Sequence, residues 1–331
     1  MSQEFFLRIS ILKTLAYFDL TDYPLTKEEL FPWLWQPPVI SYADFLQFLS
    51  LRGAVGDEAI SSQGDRHASL AITEKSNYYF LPGREKIVAE RQRKFLISEE
   101  KLKIAKKAAK KIMSIPFLRA IFVCNSVGAR QADEDSDIDF FIVTDIKRVW
   151  IVRFFTNLIL RLLGLRTYGK KNKNKICLSF FVDTNHLDLA PLRATEQDIH
   201  FACWVQQMLP VYDPQNYYAQ FLRANSWIKK FIPYMKTETV SASSYALPNS
   251  KIGLVWKKIW EKMWHGAYGD AIEKQAKEIQ WLKMKPAIKE KSRHNDNGVV
   301  ISDAVLKFHE NDTRIKYKED WEKLCVRICK N

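Results

Sequence analysis

Apolar and polar positions along this chain repeat with different periods, and the period indicates the element. From Glu4 to Phe18 the apolar residues keep helical spacing until Asp22-Tyr23-Pro24 interrupts them. Thr26-Lys27-Glu28-Glu29 has the form of a capping box: the Thr26 hydroxyl accepts from the Glu29 amide, and the Glu29 carboxylate reaches back. A second, short helix therefore starts there. Pro37-Pro38 ends it, and Ser41 caps a third helix running through Leu51. Two strand-like runs follow, Ala68 to Ile72 and Tyr78 to Leu81, on either side of Thr-Glu-Lys-Ser-Asn.

These helices and hairpin give an expected winged-helix-like domain over residues 1–83. Residues 84–113 read as one basic linking helix, with eleven basic and four acidic residues between Arg84 and Lys111 and an apolar face through Ile87, Phe95, Leu102, Ala105, Ala109 and Ile112. From residue 114 to 190 the text alternates: a short strand Leu118 to Cys124, an apolar run after an acidic stretch, a helix from Arg148 to Leu163, and a strand from Ile176 to Val182. That alternation predicts a small mixed α/β sheet. Residues 191–331 read as a helical C-terminal region, with helices at Thr195 to Met208, Tyr217 to Phe231 and Ile252 to Met284, a Ser-rich loop from Thr237 to Ser250, and a polar, mobile stretch from Lys289 to Gly298. The fold class expected is α+β.

Composition narrows the partners. Lys and Arg number 51 against 38 Asp and Glu, a net charge of +13, which favours phosphate-bearing partners such as nucleotides, RNA or another nucleic acid. The five cysteines, at 124, 177, 203, 325 and 329, form no paired framework and read as reduced thiols. The N-terminus MSQEFFLRIS lacks the form of a signal peptide, and the most apolar helical stretch, Trp150 to Leu165, is broken by Arg153 and Arg161 and falls short of a span. A cytoplasmic protein with no membrane partner is the expectation, with a protein partner or a second copy of the chain left open.

Against that basic background, five acidic residues lie within positions 133 to 139. In Asp137-Ile138-Asp139 an extended backbone sends both carboxylates to one face while Ile138 enters the core, and two hard oxygen donors on one face suit a divalent cation. Upstream, the strand ending at Cys124 runs into Asn125-Ser126, where a turn would open a short helix whose free amides favour phosphate.

These residues resemble the DNA polymerase β-like nucleotidyltransferase superfamily, whose pattern is an apolar strand, Gly-Gly or Gly-Ser, about ten residues, then Asp-h-Asp-h. Here Ser126 is followed by ten residues and then Asp137-Ile138-Asp139-Phe140, and the resemblance covers about Pro116 to Val182. The N-terminal helices, hairpin, linking helix and C-terminal helices around such a core are similar to the layout of uncharacterised bacterial members. The resemblance implies a nucleotidyltransferase core and two-metal transfer of a nucleoside monophosphate from an NTP to a hydroxyl, with Mg²⁺ or Mn²⁺ on Asp137 and Asp139. Asn125 and Ser126 would hold phosphate, and Lys173 and Lys175 of the basic loop would approach the nucleotide. Two departures stand out. Asn125 occupies the place of the first Gly, although Asn tolerates a left-handed backbone. The strand Ile176 to Val182 carries no third carboxylate, which leaves Asp183, at its end, as the nearest candidate.

Plainer readings stand beside each of these. Ser126 alone is a common helix cap, Asp183 a turn residue, and Lys170 to Lys175 a solvated loop. If Asp183 does not reach the metals, catalysis should be weak or absent, and the alternative is a catalytically inactive nucleotidyltransferase-fold protein that binds nucleic acid or regulates. Trp256, Trp260 and Trp264 recur every four residues, a stripe that reads first as core packing and otherwise as a recruiting face for a partner. His200 and His309 read as structural.

Overall fold

A computed structural model of the chain describes residues 2–51, 72–167, 169, 172–235, 251–294, 298–309 and 311–329. The N-terminal part contains α1 (Gln3–Asp19), β1 (Leu25–Thr26), α2 (Lys27–Trp33), α3 (Tyr42–Leu51), β2 (Thr73–Lys75) and β3 (Tyr78–Phe80). The capping box forms as the sequence predicts: Glu29 N donates to Thr26 Oγ1 at 3.4 Å, and Thr26 N donates to Glu29 Oε2 at 3.0 Å. The hairpin differs from the expectation. Thr73–Lys75, read as the connection, is itself a strand paired with β3, and the turn is Ser76-Asn77, both at positive φ as a two-residue hairpin turn requires. Most of the expected strand from Ala68 to Ile72 lies outside the described residues.

Helix α4 (Ile87–Ile112) is the long basic helix. Its buried side is small and apolar, with Ala105, Ala108, Ala109 and Ile112 against the sheet, while Arg91 ties it to the N-terminal helices through Glu29 (2.6 Å). Beyond it come β4 (Leu118–Cys124), α5 (Asn125–Gly128), β5 (Ile138–Thr144), α6 (Val149–Leu162) and β6 (Ile176–Asp183). Each of these three strands is mostly apolar and buried on both faces, as central strands are. β4 and β5 are antiparallel; β5 and β6 are parallel, joined through α6.

The remainder consists of α7 (Ile199–Gln206), β7 (Leu209–Tyr212), α8 (Tyr217–Ala224), α9 (Lys251–Met263), α10 (Gly266–Leu282), α11 (Pro286–Arg293), β8 (Val299–Ile301), β9 (Val305–Phe308) and α12 (Arg314–Cys329). The mostly helical C-terminal region expected also supplies strands: β7, β8 and β9 join one mixed sheet of order β7-β4-β5-β6-β9-β8. These strands are three or four residues long, and β7 contains Pro210, which an edge strand tolerates because one side needs no amide donor. Two further expectations change. Ile252 to Met284 is broken at Gly266, whose φ is 67°, and Gly269 approaches the Trp264 carbonyl so closely that a Cβ would lie 1.7 Å from it. Residues 289–293, read as mobile, belong to α11. The expected loop from Thr237 to Ser250 lies outside the described residues.

One face of the sheet packs on α4, α6 and α10, and the other on the N-terminal helices, α7, α8 and α12. Trp321 of α12 closes the second layer, donating from Nε1 to the Lys13 carbonyl at 2.9 Å and meeting Trp35 edge-on. Among the described residues no helix is long and apolar enough to cross a membrane.

Candidate functional site

The site forms where β4, β5 and β6 end together. Cross-strand register places Asp139 opposite Cys124 on one side and Cys177 on the other. Asp137 immediately precedes β5, and the period of two carries its carboxylate to the face that Asp139 uses. Ligand atoms of Asp137, Asp139 and Cys177 all lie within 4.8 Å of one another. Ser179 Oγ donates to Asp139 Oδ1 at 3.2 Å.

Burial pushes the Asp139 carboxyl up to about 6, and the neighbouring Asp137 charge adds to the shift, while hydrogen bonds from Asn125, Cys177 and Ser179 work against it. Burial also raises Asp137, offset partly by its own backbone amide, Cys177 and the Arg166 and Lys101 charges. The Cys177 thiol is pushed up by burial and by the two carboxylates, so it is a neutral donor in this arrangement.

Asn125 sits at φ = 53°, the left-handed backbone that a Gly at this position would supply, so the turn from β4 into α5 is made with Asn in its place. Trp204 Nε1 donates to Asn125 Oδ1 at 2.6 Å, which leaves the Asn125 amide group to face Asp139. The turn is closed tightly behind. A Cβ on Gly128 would stand 2.9 Å from the carbonyls of Val123 and Gln207.

Asn125 and Ser126 also line a cavity of about 360 Å³ between α1, α5, α7 and the segment leading into α12. Trp204, Phe201 and Tyr317 give it aromatic walls; Gln131 and Gln207 add amides; Lys307 and Arg314 bring positive charge. Arg314 contacts Asp198 (3.3 Å) and Asp312, and Lys307 lies 3.6 Å from Asp312. Both histidines read as structural open onto this space: His200 bonds Tyr17 OH at 3.1 Å and stacks on Tyr317. Burial lowers both His200 and His309 to about 4, so they are neutral imidazoles near pH 7.

The other residues singled out in the sequence fall elsewhere. Asp183 pairs in register with Thr144 at the far end of β6, six residues beyond Cys177, or roughly 20 Å away at strand rise. Its Oδ1 accepts from Asn185 N at 3.0 Å and meets His186 Nδ1 at 2.6 Å. It is not brought to Asp137 and Asp139, which corrects its reading as a catalytic carboxylate. Lys175 Nζ donates to the Gly164 carbonyl at 2.6 Å, and Lys173 faces Glu134 (3.4 Å) and Asp135 (3.7 Å). Asp133 meets Arg93 at 2.7 Å. Of the five clustered acids, three thus face basic side chains and two gather at the strand end.

Two participants escaped the sequence reading. Cys177 reaches the acidic pair through cross-strand register, which no local pattern reveals. Lys101 is buried and donates from Nζ to the carbonyls of Glu134 and Ser136 (2.8 Å each) and to Asn174 Oδ1 (2.7 Å), fastening the acidic loop to the basic one. It stands four residues before Ala105 on the buried stripe of α4, a position where a lysine signals an interior partner.

Comparison with protein-family models, with curated proteins and with solved structures finds no match to this chain. The chemical reading therefore rests on the site. Its two carboxylates, gathered around one space beside the neutral Cys177 thiol with negative charge left over, suit a hard divalent cation.

Proposed function

We propose that this chain is a divalent-cation-dependent nucleotidyltransferase of the DNA polymerase β-like kind, moving a nucleoside monophosphate from an NTP to a hydroxyl on RNA, protein or a small molecule. The observation that carries the reading is the meeting of three features. Asp137 and Asp139 converge, Asn125 is left-handed beside them, and that same residue opens onto the cavity of about 360 Å³.

Asp137 and Asp139 would hold Mg²⁺ or Mn²⁺, which when bound neutralises the triphosphate and favours ionisation of the attacking hydroxyl. Ser126 Oγ and the amides of the turn donate to phosphate oxygens. Asn125, fixed by Trp204, keeps its amide on Asp139 and so sets the carboxylate's direction. Trp204 and Phe201, stacked at 5.4 Å, offer an apolar wall to a base, and Gln131 and Gln207 offer amides to its edge. In the N-terminal winged-helix-like segment, Phe45, Phe48 and Leu49 of α3 are buried, which favours a packing role over reading a DNA groove.

The test is incubation with each labelled NTP, Mg²⁺ or Mn²⁺, and pools of RNA, protein and metabolites. Transfer that is lost in Asp137→Ala/Asp139→Ala supports the reading; transfer undiminished in that variant refutes it. A second reading is favoured by one observation: β6 offers Cys177 and Ser179 beside Asp139 where a third carboxylate would stand. On that reading the chain is an inactive nucleotidyltransferase-fold module that binds nucleic acid. Salt-sensitive RNA binding without any stabilisation by NTP would select it.

A further inference from the structure

Helix α9 carries its polarity the wrong way round for a helix on a water-facing surface. The side turned inward is held by charged groups: Lys257 Nζ donates to the Leu118 carbonyl and to the Met113 carbonyl (3.3 Å) and lies 3.4 Å from Tyr212 OH. Glu261 Oε1 accepts from Phe117 N and from Arg119 Nη1, each at 2.7 Å. The side turned outward is apolar. Val255, Trp256, Ile259 and Met263 are 58, 54, 51 and 55 % exposed, and their spacing sets them on one stripe. Of the three tryptophans expected to share a core stripe, Trp264 stacks on Phe155 and Trp260 packs against Trp264, while Trp256 meets Trp260 edge-on and stays largely exposed.

Flanking the stripe are exposed Lys258 and Lys262, and the helix's own carboxylate, Glu261, is committed inward. Exposed Lys110 and Lys111 lie just before Met113, whose carbonyl Lys257 holds. A continuous apolar stripe of this kind calls for a covering partner. A second copy of the chain, seated face to face, would bring Lys258 and Lys262 against their own counterparts with no acidic residue of α9 to meet them.

We propose that α9 is a peripheral membrane-binding element, laying Val255, Trp256, Ile259 and Met263 into the interface of an anionic bilayer with its lysines at the headgroups. Such a surface supplies apolar depth and negative charge together, and lysine stems reach up to the headgroups from a helix lying in the plane. The element lies on the membrane and does not cross it. This inference is independent of the acidic pair.

The test is flotation of the full chain with vesicles of phosphatidylcholine alone or mixed with phosphatidylglycerol, at low and high salt. The expected result is binding to the anionic vesicles only, weakened by salt, and reduced roughly tenfold or more in Ile259→Asp/Met263→Asp and in Lys258→Glu/Lys262→Glu. Brominated phospholipid should quench tryptophan emission of the native chain, and Trp256→Phe, a mild change at an exposed site, should lose most of that quenching although nine other tryptophans remain of the 10. Absence of binding to anionic vesicles overturns the proposal, as does quenching unaltered by Trp256→Phe. A dimer in light scattering that Ile259→Asp/Met263→Asp dissolves, with no lipid binding, assigns the stripe to a second copy instead.

Discussion

Two aspartates stand at opposite ends of neighbouring strands, both almost wholly buried, and their surroundings differ in sign. Asp183 is met at Oδ1 by a backbone amide and an imidazole. Asp139 accepts from Ser179 and Asn125 but also faces the Asp137 carboxylate and the Cys177 thiol, and its pKa is pushed up to about 6. Burial is common to both. What separates a candidate site from a structural carboxylate is negative charge that the protein leaves uncompensated.

The comparison breaks most visibly in activity. Asp137→Ala/Asp139→Ala should lower label transfer by roughly 10³-fold or more, while Asp183→Asn should change it less than about threefold, both measured as initial rates of nucleotidyl transfer. Stability should move the other way round. Asp183→Ala leaves the Asn185 amide without its acceptor and should cost roughly 1–3 kcal/mol in denaturant unfolding. Asp139→Asn should stabilise the cation-free protein at neutral pH by about 1–2 kcal/mol. The sign follows from the raised pKa. The folded state holds the Asp139 proton more tightly than the unfolded state does, so its contribution is greatest below the ordinary carboxylate range and is lost as pH rises through about 6. Added Mn²⁺ should raise the melting temperature of the native sequence above that pH, have little effect below it, and have none on Asp139→Asn.

Smaller effects sharpen the role of the third donor. Cys177→Asp should strengthen Mg²⁺ binding by about tenfold, and Cys177→Ser should weaken Cd²⁺ binding while leaving Mg²⁺ within about threefold, both by titration calorimetry. Least of all, Lys175→Ala should leave NTP affinity within about twofold, because its ammonium is spent on the Gly164 carbonyl.

Much of this was legible in local text. The Thr26 capping box, the strands β4, β5 and β6 and the helices α1, α4 and α6 follow from period and caps, because those signals act within a few residues. Asp137 and Asp139 share a face for the same reason. The short strands β7, β8 and β9 were not legible: runs of three or four residues carry too little pattern, and pairing partners far away in sequence hold them in the sheet. Nor was the break before Gly266, since the apolar period continues across it and only the approach of Gly269 to the Trp264 carbonyl reveals it.

The chain by itself determined the coupling of two carboxylates two residues apart, a left-handed turn that Asn can make, and a strongly basic surface, all consequences of side-chain chemistry and backbone geometry at short range. Tertiary structure alone decided that Cys177 joins the pair, that Asp183 stands a strand's length away, that Lys101 anchors the acidic loop, and that α9 turns its tryptophan-bearing stripe outward. Those outcomes depend on strand register and on which helix face meets the sheet, and both are set by contacts between residues far apart in sequence.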